Sequence, residues 1–128
     1  MEEDNPAVKL PPTPESVSVA RRFVLQKCQQ WHLLGSHDRL LLLVSETVTN
    51  AMKHARSHLV EVRLVHQPPA VRVEVRDDDP RAPISGNPSE DAESGRGMQL
   101  VEALADEWGV TRHAGDGKTV WFDVTGPD

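Results

Sequence analysis

One apolar stretch, residues 40–55, limits the folds open to this chain more than any other part of the sequence. Read as a helix, it places apolar side chains over more than half of its circumference. A helix with so wide an apolar surface must be covered on most sides, so we predict that it lies at the centre of the fold. The apolar positions are Leu40, Leu41, Leu43, Val44, Val48, Ala51, Met52 and Ala55.

The bulk composition fits one small folded domain. A length of 128 residues leaves little room for a second domain. The ten prolines indicate substantial irregular backbone. Twenty acidic residues against fourteen basic ones give a net charge of −6. That charge argues against direct binding to nucleic acid and favours a basic patch on a protein partner.

The sequence carries no sign of export or of a membrane segment. Cys28 is the only cysteine, so an internal disulfide bond is impossible and a cysteine-based metal site is not expected. No apolar run has the length of a transmembrane helix, and no basic-then-apolar leader opens the chain. We therefore expect a protein of the reducing cytoplasm that has no membrane partner.

The chain divides into a short arm and one domain. Residues 1–12 are acidic and rich in proline, which predicts a loose N-terminal arm in which residues 7–10 could add a short edge strand. Residues 13–125 are predicted to form the domain.

Two helices are predicted at the start of that domain. Thr13 followed by Pro14 has the form of an N-cap with proline at the first helical position, and the helix runs to about Trp31. The central helix follows, with Ser36 or Asp38 as its N-cap.

Alternating apolar residues predict four further strands. Two lie near residues 60–64 and 71–75, with a turn at residues 67–69 between them. Two closing strands are predicted near residues 108–113 and 119–124. The resulting fold class is α+β: a two-layer sandwich of a mixed, mainly antiparallel sheet with about three helices on one face.

One edge of the central helix carries polar residues at four-residue spacing. Glu46, Asn50 and His54 stack along that edge. A carboxylate can take a proton from a hydroxyl, and an amide oxygen suits Mg²⁺ that is also bound by phosphate oxygens. The same stripe is also typical of the solvated edge of an amphipathic helix. His58 follows His54 by four residues, but no third ligand is evident and a zinc site is not expected.

A carboxylate ends the second alternating strand. Asp77 can accept a hydrogen bond from an exocyclic amine such as that of adenine, but aspartate is also a common turn former at a strand end. Asp78 and Asp79 fit the turn role better, because three adjacent carboxylates repel one another. We interpret residues 78–94, with their prolines and glycine, as a mobile lid.

A glycine pair opens the third predicted helix. Gly95, Arg96, Gly97 and Met98 precede its apolar residues, and the free N–H groups of a helix start attract phosphate. Arg96 is either a bidentate phosphate donor or a surface charge, and the glycine pair alone is also typical of a hinge. Residues 115–119 form either a second wall of the pocket or a hairpin turn.

The order and spacing of these motifs together resemble one family. From about Arg21 to Val124 the chain is similar to anti-sigma-factor serine kinases, the type that regulates sporulation and stress sigma factors in Gram-positive bacteria. More broadly it resembles the ATPase fold shared by DNA gyrase, sensor histidine kinases, heat-shock chaperones and mismatch-repair proteins. Residues 42–51 and 95–110 resemble actinobacterial members especially.

The resemblance implies a site for ATP and Mg²⁺. Glu46 matches the family's general base, and Asn50 matches its magnesium ligand. Asp77 matches the adenine-binding aspartate, and Thr119 matches the pocket threonine near the last strand. The other positions that the resemblance places at the nucleotide are His54, Gly95, Arg96, Gly97 and Met98.

The resemblance also implies a function. An anti-sigma factor of this kind sequesters an RNA polymerase sigma factor and phosphorylates an anti-anti-sigma protein on serine with Mg-ATP. The expected partners are therefore a sigma factor and an anti-anti-sigma factor, and the family favours a homodimer.

Two positions depart from the family pattern and motivate an alternative. The family motif Asp-x-Gly-x-Gly is replaced here, because Asp79 and Arg81 occupy the glycine positions and their side chains would crowd the base or stiffen the lid. The alternative is a non-catalytic sigma-factor-binding protein with weak or absent nucleotide binding. A detached histidine-kinase catalytic domain is a third reading, which the compact size without a dimerisation helix disfavours.

Overall fold

The fold is a five-stranded antiparallel sheet with helices packed on one face. The computed structural model describes residues 5–33, 37–55, 59–78, 99–113 and 117–125. Residues 99–104 are also helical. The α+β sandwich with a mainly antiparallel sheet is therefore confirmed, and every described strand pairing is antiparallel, with no parallel pair among the described strands. The elements in chain order are β1 (Ala7–Leu10), α1 (Glu15–Gln30), α2 (Asp38–Ala55), β2 (Val60–Gln67), β3 (Ala70–Asp77), β4 (Glu107–His113) and β5 (Gly117–Thr125).

The sheet has the spatial order β1-β2-β3-β5-β4. Side chains alternate between its two faces, and the apolar set of each central strand lies on the helix side. Val73 shows the pattern, since it faces Leu64 on β2 and Phe122 on β5. All three side chains are fully buried. The period-two pattern in the sequence thus fixes which face of the sheet is covered.

Helix α2 supplies the centre of the core, as its wide apolar surface predicts. It packs on α1, β2 and β3, and Leu40, Leu43, Val44 and Val48 have no exposed surface. Thr47 is also buried, and its hydroxyl donates to the carbonyl oxygen of Leu43 at 2.8 Å, so burial leaves no unpaired donor.

Helix α1 packs against α2 and β1. Ala20, Val24 and Cys28 are its fully buried apolar residues, and they recur at four-residue spacing. Burial raises the pKa of the Cys28 thiol to about 11, so this thiol stays protonated near neutral pH. No helix in the described residues is long and apolar enough to cross a membrane.

The start of α1 differs from the prediction. Pro14 occupies the N-cap position with helical dihedral angles, and no side chain caps the helix, so the assignment of Thr13 as N-cap is wrong by one residue. The reason is that proline already has the φ of a helix. Ser16 instead donates its hydroxyl to the carbonyl oxygen of Pro11 at 2.6 Å. Asp38 lies in the first turn of α2, and the other predicted cap, Ser36, lies outside the described residues.

The short edge strand predicted within the N-terminal arm is part of the sheet. Strand β1 pairs with β2, and Leu10 is buried against the core. The possible edge strand in the arm is therefore present. The extent of the loose arm beyond it stays a prediction.

Replacing Phe122 by alanine tests the interior position of β5 between β3 and β4. We expect a loss of about 3–5 kcal/mol in the free energy of unfolding, because the substitution removes a fully buried ring and leaves a cavity. Leu42→Ala is the control, since Leu42 is 42% exposed and should change stability by no more than about 0.5 kcal/mol. Urea unfolding measures both, and equal costs for the two variants would contradict this core arrangement.

Candidate functional site

Asp77, the last residue of β3, is a carboxylate that faces the apolar side of the sheet. It continues the row of Val71, Val73 and Val75 on that face and is only 2% exposed. A carboxylate removed from water needs a charged or hydrogen-bonding partner. The structure supplies one, because the Lys118 ammonium donates to Asp77 Oδ2 at 2.7 Å.

Strand register explains why Lys118 meets Asp77. The two residues lie directly opposite each other on β3 and β5, and the next pair on the same face is Val75 with Val120. Lys118 is itself buried, with 8% of its surface exposed. The sequence reading missed this residue. The available signal was a lysine within an alternating strand, at a position that shares the apolar face with Val120 and Phe122.

Gly117 allows the two strand ends to come this close. Its φ is +97°, which a residue with a side chain rarely adopts. A Cβ atom at this position would also collide with the backbone carbonyl oxygen of Asp77. The glycine before Lys118 is thus required for the close contact between β5 and the end of β3, and we assign it a structural role.

The predicted polar edge of α2 is present. Glu46 and Asn50 are both half-buried and lie one helical turn apart. His54 belongs to the same helix, but its side chain lies outside the described residues. The edge therefore combines a carboxylate and an amide oxygen beside the core.

Chain connectivity keeps the C-terminal end of α2 close to the end of the sheet that carries Asp77. Helix α2 ends at Ala55, and β2 begins at Val60, which pairs directly with Asp77. Five residue steps span at most roughly 18 Å. Because α2 also packs on β2 and β3, we infer that its C-terminal end lies towards the end of the sheet that carries Asp77.

Thr119 lies on the opposite face of the sheet from Asp77. Its register partner on β3 is Arg76, and its hydroxyl oxygen is 2.8 Å from Nε2 of His113. The β5 side chain that faces Asp77 is therefore Lys118. The nucleotide-binding role of Thr119 stays a prediction, and its side chain in this structure contacts a histidine on the outer face.

The predicted phosphate loop is not covered by the described part of the chain. Gly95, Arg96, Gly97 and Met98 all fall outside it, as do the residues 79–94 assigned to the lid. Their predicted contacts stay predictions. Asp78 is described, is exposed, and pairs with Arg76 at 3.5 Å, in agreement with a solvated strand end.

The oxygen atoms on α2 and the Asp77 carboxylate on β3 would meet different parts of a magnesium nucleotide. Oxygen atoms of Asn50 and Glu46 are hard donors of the kind that Mg²⁺ prefers when phosphate oxygens complete its shell. Asp77 Oδ2 already accepts a hydrogen bond from the Lys118 ammonium, so an adenine amine would share this carboxylate with a charged donor, and the adenine-binding role of Asp77 stays a prediction. Within the described residues, no cluster of three or more His, Cys, Asp or Glu side chains is placed to hold a metal ion.

The outer face of the sheet has its central charges paired with each other. Arg72 donates to both carboxylate oxygens of Asp123, at 2.7 and 3.0 Å, and its guanidinium lies 4.0 Å from the ring centre of Trp121. The hydrogen bond to Asp123 raises the pKa of Arg72. The Arg72 guanidinium is thus already engaged by Asp123 and Trp121. We therefore place the candidate nucleotide site on the helix side of the sheet.

Comparisons with known proteins identify the fold family. Residues 10–124 match the model of the histidine kinase-like ATPase domain. A comparison with curated protein sequences gave no match.

Two solved structures are similar to the chain. The histidine kinase domain of the blue-light activated histidine kinase EL346 from Erythrobacter litoralis is 37% identical, with a TM-score of 0.53, and the match covers 68% of this chain and 43% of that one. A second structure of the same kinase is 35% identical, with a TM-score of 0.54, and the match covers 70% of this chain and 30% of the other. The chain thus spans less than half of either kinase chain.

The family model covers nearly all of the described fold, from the last residue of β1 into β5. The chain belongs to the histidine kinase-like ATPase family.

Proposed function

We propose that this protein is an ATP-dependent anti-sigma factor. In this proposal it sequesters an RNA polymerase sigma factor and phosphorylates an anti-anti-sigma protein on serine. Membership of an ATPase family of the kinase type supports the use of ATP, usually together with Mg²⁺. The anti-sigma part rests on the resemblance of residues 42–51 and 95–110 to that group of kinases.

One observation carries the catalytic part of the proposal. A carboxylate and an amide, Glu46 and Asn50, share one half-buried edge of α2, and this helix packs on β3, the strand that ends in Asp77. Half-buried polar groups of this kind can bind a charged ligand while the surrounding apolar core keeps them in place.

Each residue then has a defined task. Glu46 would accept the proton of the attacking serine hydroxyl on a carboxylate oxygen, as a general base does. Asn50 would hold Mg²⁺ through its amide oxygen, and the metal would supply neutralisation of phosphate charge. Phosphoryl transfer depends mainly on positioning and charge neutralisation, so a rigid central helix is a suitable carrier for both groups.

The net charge of −6 suits the proposed partners. An acidic protein is attracted to basic segments of a sigma factor and is repelled by nucleic acid, so capture of the free sigma factor would be favoured. We also propose a cytoplasmic homodimer, for which the first helix or the N-terminal arm could provide the contact.

Replacement of Glu46 tests the catalytic assignment. We expect Glu46→Ala to lower phosphotransfer to the partner serine by about 100-fold or more, since general bases contribute on that scale, while sigma-factor binding is largely unchanged. Labelled ATP and candidate anti-anti-sigma proteins give the rate, and a pull-down gives the binding. Glu15→Ala is the control, because Glu15 is exposed on α1. Wild-type transfer by the Glu46 variant would refute the assignment.

The similarity to a blue-light activated histidine kinase favours a second candidate function, that of a catalytic module which phosphorylates histidine on a partner. The product distinguishes the two candidates. Phosphoserine survives acid and is lost in alkali, whereas phosphohistidine behaves in the opposite way. We expect an acid-stable product, and an acid-labile one would favour the histidine-kinase role.

A third candidate is a sigma-factor-binding protein that uses no nucleotide, which Asp79 and Arg81 at the family's glycine positions favour. Isothermal calorimetry with Mg-ATP separates it from a kinase. We expect saturable heat at or below millimolar nucleotide. No detectable binding at that concentration would favour control of the sigma factor by occlusion alone.

A further inference from the structure

We propose that Lys118 sets the base selectivity and affinity of the nucleotide site by holding the carboxylate of Asp77. The inference rests on the proposed function in one respect, namely that a nucleotide base reaches the Asp77 end of the domain. It adds a specificity-determining residue to those named so far.

The contact between the two residues is strong because both are buried. Their side chains are 3% exposed for Asp77 and 10% exposed for Lys118, with 2.7 Å between Nζ and Oδ2. A charged donor makes a hydrogen bond roughly twice as strong as a neutral one. A carboxylate can accept several hydrogen bonds, so a neutral amine on a purine ring would have to share Asp77 with this charged donor, which already neutralises much of its negative charge.

The backbone keeps Lys118 in this position. Register places it directly opposite Asp77, and Gly117 lets the two strands approach closely. On the same face of the sheet, Val75 and Val120 form the next pair, so the ammonium lies at the border of an apolar region. Removal of one member of such a pair is strongly destabilising, because the other charge stays buried and loses the ion-pair contact.

The Asp77–Lys118 pair changes which hydrogen-bonding groups the protein presents to the edge of a purine base. A lone carboxylate accepts hydrogen bonds and selects adenine, whose 6-amino group is a donor, against hypoxanthine, whose 6-keto oxygen is an acceptor. Lys118 adds a donor at the same point, so a keto oxygen is no longer penalised. We therefore expect the unmodified protein to bind Mg-ATP and Mg-ITP within about twofold of each other, or to prefer Mg-ITP.

We expect the substitution Lys118→Thr to make the site selective for Mg-ATP over Mg-ITP. With the ammonium removed, we expect Mg-ATP to bind about tenfold more tightly, and to be preferred over Mg-ITP by about tenfold, because a hydrogen bond to a charged carboxylate is worth that much. Isothermal calorimetry of the full chain with each nucleotide measures both ratios. Lys9→Thr is the matched control, since Lys9 is an exposed lysine on β1 and should leave both affinities unchanged.

A second variant guards against loss of folding. Lys118→Thr leaves Asp77 buried without its ammonium, so the double variant Asp77→Asn with Lys118→Thr removes both charges together. Circular dichroism checks the fold of each protein. The double variant should remain folded and lack the tenfold preference for Mg-ATP, because a neutral amide is a weaker acceptor than a carboxylate. The ATP-to-ITP ratio of the unmodified protein needs no substitution and tests the proposal even if the single variant does not fold.

The outcomes separate this inference from the proposed function. An unmodified protein that already prefers Mg-ATP over Mg-ITP by tenfold or more, with no change in Lys118→Thr, would overturn the inference and leave the kinase proposal standing. Failure of every folded variant to bind either nucleotide at millimolar concentration would overturn both. A ratio near one that becomes selective only when Lys118 is replaced supports the inference.

Discussion

A carboxylate at the border of an apolar core must be paired, and in this chain the pairing of Asp77 with Lys118 links the core of the fold to the candidate site. The contact requires the register of β3 with β5, a left-handed glycine before the lysine, and an apolar face on which both side chains lie. Breaking a buried ion pair costs about 3–5 kcal/mol, a large part of the stability of a small domain. The same interaction therefore stabilises the sheet and decides what Asp77 can offer a ligand.

Helix α2 carries the other predicted site residues, because it has an apolar face in the core and a polar edge beside it. Leu43 and Val44 on its apolar face are fully buried where the helix packs against the sheet and α1, and this fixes the rotation of the helix about its axis. That rotation leaves Glu46 and Asn50 half-buried on one edge. Packing energy thus holds the polar groups in place, which a surface loop would not do with the same precision.

Much of this structure was predictable from periodicity, because the sheet and the helices bury their faces at different spacings. The wide apolar surface of α2 was sufficient to predict the helix layer, and the alternation of Val71, Val73 and Val75 was sufficient to predict the sheet layer. The pairing of individual residues across strands β3 and β5 could not be predicted from this periodicity. Whether Lys118 or Thr119 faces Asp77 depends on a register that a shift of one residue would reverse. The start of α1 was misplaced because a proline fits both the cap and the first turn.

The central claim is that one nucleotide contacts both the polar edge of α2 and the end of β3. Two-dimensional ¹H–¹⁵N NMR of the full chain during titration with Mg-ATP tests it most directly. We predict saturable shifts of the Glu46, Asn50, Asp77 and Lys118 amide signals that share one dissociation constant, while signals from the Arg72–Asp123 pair on the outer face stay unchanged. Shifts confined to α2 alone or to the outer face, with Asp77 and Lys118 unmoved at saturation, would contradict it.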